Sequence, residues 1–92
     1  MTKMNPIKHV DSHMNNLISD LQTLIRQPSV SAKNEGIEEC AKLVQTLLKN
    51  SGIHSELLRL KKGVAPIVYG EIKSKQNPKK TLMFYNHYDV QP

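Results

Sequence analysis

The sequence predicts an α/β fold, and three observations lead to this class. Up to about residue 50, apolar residues recur at three- and four-residue steps, which is the spacing of amphipathic helices. Beyond that point, short apolar and β-branched segments alternate with polar turns, which is typical of strands. The last of these segments is apolar throughout, which favours an inner strand of an α/β sheet. The predicted order is therefore helix, helix, strand, strand, strand.

The first helix is predicted to begin at Pro6 and to end before Pro28. Asn5 can cap it, and a proline at the first helical position loses no hydrogen bond. The residue before Pro28 disfavours the helical conformation, so the helix should stop there. The apolar stripe of this helix consists of Ile7, Val10, Met14, Leu17, Ile18, Leu21, Leu24 and Ile25.

The second helix is predicted over about residues 35–50. Glu35, Glu38 and Glu39 lie in its first turn, where the helix dipole favours negative charge. Gly52 can adopt the left-handed conformation that ends a helix. The apolar face consists of Ile37, Cys40, Ala41, Val44, Leu47 and Leu48.

Three strands are predicted after Gly52, where the helical spacing is lost. The first is IHSELLRL (53–60), in which leucines alternate with an arginine. The second is PIVYGEI (66–72), whose initial proline suits a first strand position or a sheet edge. The third is TLMFYN (81–86), the continuous apolar run that favours burial on both faces.

Composition limits the classes of protein that need to be considered. Ninety-two residues are enough for one small domain, and a single cysteine excludes an internal disulfide framework. The formal charge of +5 could indicate an anionic partner, but the lysines stand beside Gly, Asn and Pro, which is typical of solvated turns. There is neither the apolar stretch of a signal peptide nor an apolar run that could span a membrane. We therefore expect a soluble, cytoplasmic protein.

His87 and Asp89 follow the third predicted strand and are the first candidate site. Residues two apart in an extended segment face the same side, and ligands of open α/β sheets bind beyond the carboxyl ends of the strands. Imidazole is the commonest metal ligand, and a carboxylate can hold its other ring nitrogen. The pattern is short, however, and Asn86 and Asp89 could instead simply begin a turn.

The other histidines and the cysteine are weaker candidates. His9 and His13 are four apart on the first helix, the spacing of a metal pair, but such sites need further ligands, so we expect an exposed helix flank. His54 is predicted to be a surface residue at the start of a strand. Cys40 has no neighbouring base in the sequence, so we expect a small buried residue rather than a reactive thiol.

Hydroxyl-bearing residues supply no clear nucleophile. Ser29 and Ser31 lie in the connection between the helices, with no His–Asp partner nearby in the sequence, so a serine nucleophile is not expected. Tyr85 and Tyr88 are predicted to be packing residues rather than catalysts.

The last segment of the chain resembles a known enzyme family. Residues 70–92, GEIKSKQNPKKTLMFYNHYDVQP, are similar to the di-metal aminoacylase and carboxypeptidase family, in which a strand, a polar loop and an apolar strand lead to a His-x-Asp-[VT]-x-Pro motif. Gln91 before Pro92 looks most like the branch of carnosine-type and cytosolic non-specific dipeptidases. Upstream, LQTLIRQPSVSA resembles the family's first helix and its Pro-Ser-Val-Ser connection, and GIEECAKLVQTLLKNSGIHSELL resembles its second helix and first strand.

The resemblance implies a fold and an organisation. Residues 1–92 would be the N-terminal portion of a metallopeptidase catalytic domain with a three-layer αβα zinc-peptidase-like fold and a mixed sheet. The first two strands would pair antiparallel at one edge, and a later strand would come between them and the third. The remainder of the catalytic domain and a lid or dimerisation domain would follow, and the longer form could be a homodimer.

The resemblance also implies an activity. His87 would be a ligand to one of two divalent metal ions, zinc or manganese, and Asp89 would be the active-site carboxylate that orients it. The reaction would be hydrolysis of an amide bond in a dipeptide or an N-acylated amino acid. Because the other ligands and the catalytic glutamate lie further along the chain in family members, residues 1–92 alone are expected to be inactive. Neither nucleic acid nor a membrane is an expected partner.

The alternative is a small basic αβ module that binds nucleic acid or a protein partner. Such a module needs a basic face with interleaved aromatic residues or a recognisable binding motif. The sequence offers lysine-rich turns and four aromatic residues of the Phe and Tyr types. The salt dependence of DNA binding would discriminate this alternative from the metal-dependent enzyme.

Overall fold

Helices precede a two-stranded antiparallel sheet. The computed structural model describes residues 5–92. Its elements are α1 (Pro6–Ser12), α2 (Met14–Arg26), a short 3-10 turn (Ser31–Lys33), α3 (Ile37–Asn50), β1 (His54–Leu58) and β2 (Ile67–Glu71). The combination of helices with a small sheet confirms the α/β class in general terms.

Helix α3 packs on the hairpin of β1 and β2. The strands pair from His54 opposite Glu71 to Leu58 opposite Ile67. The Gln45 side chain donates to the Ser55 carbonyl at 3.1 Å, and the Ser55 hydroxyl donates to the Gln45 carbonyl at 3.3 Å, which ties α3 to β1. These reciprocal bonds satisfy the hydroxyl of a buried serine.

The buried apolar residues lie in the first half of α3. Ile37, Cys40 and Ala41 are buried, which confirms that Cys40 is a small buried residue. Because burial is concentrated here, the beginning of α3 is the part of the described chain with the strongest hydrophobic support. The segment after Asn86 reaches this region, because the Cys40 thiol lies 3.7 Å from the Tyr88 carbonyl oxygen.

The predicted first helix is interrupted, and the structure corrects that expectation. Residue His13 has φ −113° and ψ 13° and separates α1 from α2. Its imidazole Nδ1 lies 2.8 Å from the His9 carbonyl oxygen, and the Ser12 hydroxyl bonds both to Nδ1 and to the same carbonyl. The His13 N–H still bonds to the His9 carbonyl at 3.1 Å and also to the Val10 carbonyl at 3.2 Å, so the interruption is a single residue at which side chains share the His9 carbonyl with the backbone.

The predicted ends of the helices are largely confirmed. The Asn5 side chain accepts from the backbone N–H groups of Ile7 and Lys8 at 3.0 and 3.2 Å. Helix α2 ends at Arg26, two residues before Pro28. Gly52 has φ +83° after the end of α3, as its left-handed role requires.

Helix α3 begins later than the sequence predicts. Glu35 lies outside it, because Val30 and Glu35 form an isolated antiparallel bridge with N···O distances of 2.8 and 3.0 Å. Gly36 then turns the chain with φ +74°, and the helix starts at Ile37. Glu35 therefore belongs to a short closed loop and not to the helix. Glu38 and Glu39 lie in the first turn of α3, as predicted.

The predicted third strand is not formed within residues 5–92. Residues 81–86 have no ladder partner and no regular secondary structure. A strand needs a neighbour to satisfy its backbone groups, and the described segments include none that pairs with these residues. Phe84 is 81% exposed and Tyr85 is 86% exposed, so the predicted burial of this segment and the packing role of Tyr85 are wrong for this structure.

Two further parts of the described chain, the apolar stripe of the helices and the lysine-rich turns, are exposed to solvent. The apolar stripe of α1 and α2 is exposed along most of its length, so it does not contribute a large core. The lysines at 61, 62, 73, 75, 79 and 80 are exposed in turns and irregular segments, as predicted. Among residues 5–92, none of the helices has the length and apolar character needed to cross a membrane.

Candidate functional site

His87 and Asp89 lie side by side, as their spacing predicts. The imidazole Nδ1 is 3.0 Å from Asp89 Oδ1 and 3.0 Å from the Asp89 carbonyl oxygen. The His87 side chain is 78% exposed, whereas the Asp89 side chain is only 39% exposed. The carboxylate therefore anchors the pair to the protein, and the imidazole projects toward solvent.

The partners of His87 define which ring nitrogen carries the proton. A carboxylate oxygen and a carbonyl oxygen are both acceptors at neutral pH, so Nδ1 must be the donor to them. In the neutral ring, Nε2 then carries the lone pair. Within residues 5–92, Nε2 of His87 makes no hydrogen bond. This is the arrangement in which a histidine can bind a metal ion through Nε2 while a carboxylate holds the other nitrogen.

Ser31 contacts the second oxygen of the same carboxylate. Its hydroxyl donates to Asp89 Oδ2 at 2.5 Å across a sequence separation of 58 residues. Asp89 thus accepts from Ser31 on one oxygen and from His87 on the other. The spacing of the sequence gives no signal for this contact, and the expectation that Ser31 has no His–Asp partner is corrected.

The order of these contacts argues against a serine nucleophile. In a catalytic triad, the imidazole lies between the hydroxyl and the carboxylate and takes the proton of the hydroxyl. Here the carboxylate lies between Ser31 and His87. A carboxylate is a weak base for a serine hydroxyl, so Ser31 is a hydrogen-bond donor to Asp89 and not an activated nucleophile.

The segment that carries the pair is attached to the fold by its neighbours. The Val90 N–H donates to the Ser29 carbonyl at 2.8 Å. The Tyr88 hydroxyl donates to the Pro66 carbonyl at 2.6 Å, and the Cys40 thiol lies 3.7 Å from the Tyr88 carbonyl oxygen. The predicted packing role of Tyr88 is consistent with these contacts. Residues 88–90 are therefore held by α3, by the connection before it and by the loop before β2.

The environment shifts the acidity of both Asp89 and Tyr88. The hydrogen bond from Ser31 is the main reason that the pKa of Asp89 lies below its usual 3.8; His87 adds to the effect and partial burial opposes it. The carboxylate therefore stays ionised and available as an acceptor at neutral pH. Burial is the main cause that raises the pKa of Tyr88, with Cys40 and Glu38 adding to it.

The pair lines an open groove. Its volume is about 1880 Å³, and it is bounded by β2, α3, the connection between α2 and α3, and residues 78–90. Apolar side chains such as Val44, Leu48 and Ile53 form part of its wall. The groove is larger than the roughly 300–1,000 Å³ of ordinary ligand pockets, so it is an uncovered apolar surface beside the pair and not by itself a ligand site.

The remaining histidines do not join this site. The rings of His9 and His13 are stacked with centroids 4.1 Å apart on exposed residues, which confirms an exposed helix flank. His54 is an exposed residue whose Nε2 lies 3.2 Å from Glu56 Oε1, which confirms a surface position. Ser29 is 2% exposed, and its hydroxyl has no hydrogen-bond partner in the described structure.

The residues present fit one part of a metal centre. His87 with Asp89 fits a single ligand and the carboxylate that orients it. Within residues 5–92, no group of three or more His, Cys, Asp or Glu side chains is placed to hold an ion together. A zinc ion in a catalytic site usually has three protein ligands. The pair would therefore need ligands from outside the described residues.

Comparison with known proteins adds no family assignment. No family model, no curated protein and no solved structure matches the chain. The resemblance to the di-metal aminoacylase and carboxypeptidase family therefore stays a prediction from the sequence segments alone.

Proposed function

We propose that this chain contributes to metal-dependent hydrolysis of an amide bond, in dipeptides or N-acylated amino acids, as part of a longer enzyme. One observation carries the proposal. His87 donates from Nδ1 to the Asp89 carboxylate at 3.0 Å and leaves Nε2 without a hydrogen-bond partner among residues 5–92. That geometry is common to histidine ligands of catalytic metals, and it occurs at the motif that resembles the family's metal site.

The proposal gives each residue a role. His87 would bind one of two divalent ions, zinc or manganese, through Nε2. Asp89 would hold the ring, keep the proton on Nδ1 and raise the basicity of Nε2. Paired ions supply Lewis acidity and a bound water of lowered pKa. The remaining ligands and a glutamate general base would come from the continuation of the chain that family members have.

The same resemblance carries the wider proposals. We infer a three-layer αβα zinc-peptidase-like fold with a mixed sheet, of which residues 1–92 form the N-terminal portion of the catalytic domain. Small peptides or N-acyl amino acids would be the substrates, in the cytoplasm, and the longer form could be a homodimer. This enzyme proposal includes neither nucleic acid nor a membrane as a partner.

A zinc titration observed at individual imidazoles tests the metal role. The chain has four histidines, so ¹⁵N-labelled histidine gives a small set of signals. We expect zinc to shift the Nε2 signal of His87 with weak affinity, because a single ligand cannot hold the ion tightly. His87→Ala should remove the response of this site.

His54 supplies a matched control for this experiment. It also lies two residues before an acidic residue, but its contact with Glu56 is made through Nε2. His54→Ala should leave the response of His87 unchanged. Zinc binding of equal strength in the unaltered chain and in His87→Ala, with no change at His87, would contradict the proposed metal role.

The alternative of a basic binding module remains a separate proposal. Its support is the formal charge of +5 and the exposed lysines of the turns. Binding of a DNA duplex that weakens steeply with salt would favour it, because each neutralised phosphate contributes to the salt dependence. His87→Ala should not affect such binding.

A further inference from the structure

Asp89 is held from two sides, by its near neighbour His87 and by Ser31 from a distant part of the chain. Ser31 donates to Oδ2, and His87 donates to Oδ1. The terminal torsion of an aspartate is broad, so a carboxylate held at one oxygen only can rotate. A second donor at the other oxygen fixes the plane of the carboxylate and with it the direction in which Oδ1 faces.

The backbone that presents Ser31 is itself ordered by short-range bonds. The Lys33 N–H donates to the Val30 carbonyl at 3.2 Å, and the Asn34 N–H donates to the Ser31 carbonyl at 3.1 Å. The two bonds between Val30 and Glu35 close the loop around this turn. The Ser31 hydroxyl is therefore offered from a defined turn and not from an open connection.

Ser29 and Ser31 make separate contacts with the same segment. The Ser29 carbonyl accepts from the Val90 N–H and so holds the main chain. The Ser29 hydroxyl, in contrast, has no hydrogen-bond partner in the described structure. Only the Ser31 hydroxyl reaches the carboxylate. The attachment of the segment and the orientation of the carboxylate can therefore be altered independently.

We propose that Ser31 is a positioning residue: by fixing the Asp89 carboxylate, it keeps the proton of neutral His87 on Nδ1 and the lone pair on Nε2. The functional use of that lone pair rests on the metal role proposed above, but the effect on the tautomer does not. Ser31 acts through Asp89 and does not itself contact a reacting atom.

The tautomer of His87 provides the direct test. With ¹⁵N-labelled histidine in the full 92-residue chain, the nitrogen shifts at a pH of about 8.5, where imidazole is ordinarily neutral, report which nitrogen is protonated. Ser31→Ala should lower the ratio of Nδ1-protonated to Nε2-protonated His87 by about 2- to 10-fold, the equivalent of one typical hydrogen bond. The effect should be partial, because the Asp89 carbonyl also accepts from Nδ1.

Two variants separate positioning from a general loss of structure. Ser31→Thr keeps a hydroxyl and should restore the ratio. Ser29→Ala removes the hydroxyl that has no partner and should leave the ratio unchanged. Amide exchange of Val90, whose N–H bonds to the Ser29 carbonyl, should change little in Ser31→Ala and shows that the segment is still attached.

An unchanged tautomer ratio in Ser31→Ala would overturn the proposal, and so would a changed ratio that Ser31→Thr fails to restore. If Ser31→Ala also abolished the protection of Val90, the residue would be a general support of the segment, and the proposal of carboxylate positioning would likewise fail. If zinc does not shift the nitrogen signals of His87 in any variant, only the proposed metal role is refuted. The comparison of tautomer ratios would still decide the role of Ser31.

Discussion

Replacing Gly36 by alanine tests whether the loop between α2 and α3 has to close tightly. Gly36 has φ +74°, and a Cβ atom added there would lie 2.0 Å from the Pro28 carbonyl oxygen. The left-handed conformation costs a residue with a Cβ roughly 1–2 kcal/mol. Displacing the loop to relieve the contact adds about 1–3 kcal/mol, as for other overpacked sites. We therefore expect the free energy of unfolding to fall by about 2–5 kcal/mol in Gly36→Ala.

Gly52 provides the control, because it shares the conformation and not the contact. Its φ is +83°, and no atom lies within 4 Å of the position of an added Cβ. Gly52→Ala should lose only the roughly 1–2 kcal/mol of the left-handed conformation. The assay is urea denaturation of both variants, with amide exchange of Val90 as a local probe, since its bond to Ser29 depends on the loop. Equal losses in the two variants, with Val90 equally protected, would refute the reasoning.

Three further predictions concern the site, the helix that supports it and the unpaired segment. In a longer polypeptide that hydrolyses dipeptides, His87→Ala should nearly abolish hydrolysis and Asp89→Asn should reduce it on the order of 10–100-fold or more; activity of the unaltered level in His87→Ala would contradict this. Arg59 hydrogen-bonds Glu38 and lowers its pKa below 4.5, so the stability that this carboxylate contributes is present above pH 4.5 and is lost as the pH falls through the lowered value. Glu38→Gln should remove that part of the acid dependence of unfolding, whereas Glu39→Gln, one residue away, should leave it, and identical pH profiles would oppose the assignment. Amides of residues 81–86 should exchange faster than those of β1 and β2, because the segment has no ladder; protection equal to that of the hairpin would mean that it pairs in solution.

The features that the sequence predicts well depend on one or two neighbouring residues. Asn5 and Pro6 start α1, the residue before Pro28 is extended, and Gly52 takes a positive φ after α3. Each of these follows from local sterics or from a side chain that bonds its own backbone. The break at His13 is different, because neither a proline nor a glycine marks it, and it coincides with the contact of the imidazole with the His9 carbonyl.

The third predicted strand shows why periodicity alone is insufficient. An apolar run predicts burial only if other segments are present to cover it. In residues 5–92 nothing pairs with residues 81–86, and the apolar side chains at Leu82, Met83 and Phe84 remain exposed. A strand forms only when a second segment pairs with it, so the sequence of one segment alone does not predict whether the strand forms.

In the candidate site, too, the local contact could be predicted from the sequence and the long-range contact could not. The contact of His87 with Asp89 follows from their spacing, because residues two apart can face the same side. The contact of Ser31 with Asp89 spans 58 residues and depends on how the loop before α3 closes. No pattern of residue types in a single sequence encodes that approach. It becomes visible only when the turn at Ser31–Lys33 and the segment 88–90 are seen together.

The attachment of residues 88–90 to the loop before α3 has a consequence for how the site opens. Since residues 81–86 form no ladder, the His87–Asp89 pair is connected to the rest of the protein mainly through the bonds at Ser29, Ser31 and Pro66. Opening of the loop before α3 would release the Asp89 carboxylate and the Val90 main chain together, while the bond of Tyr88 to Pro66 would still hold residue 88. The loop and the segment of Asp89 and Val90 therefore form one unit, and because few hydrogen bonds join them, we expect its opening to require less free energy than unfolding of α3 and the hairpin. A ligand that binds only the closed form would stabilise this unit first, and its affinity would include the free energy of keeping the loop shut.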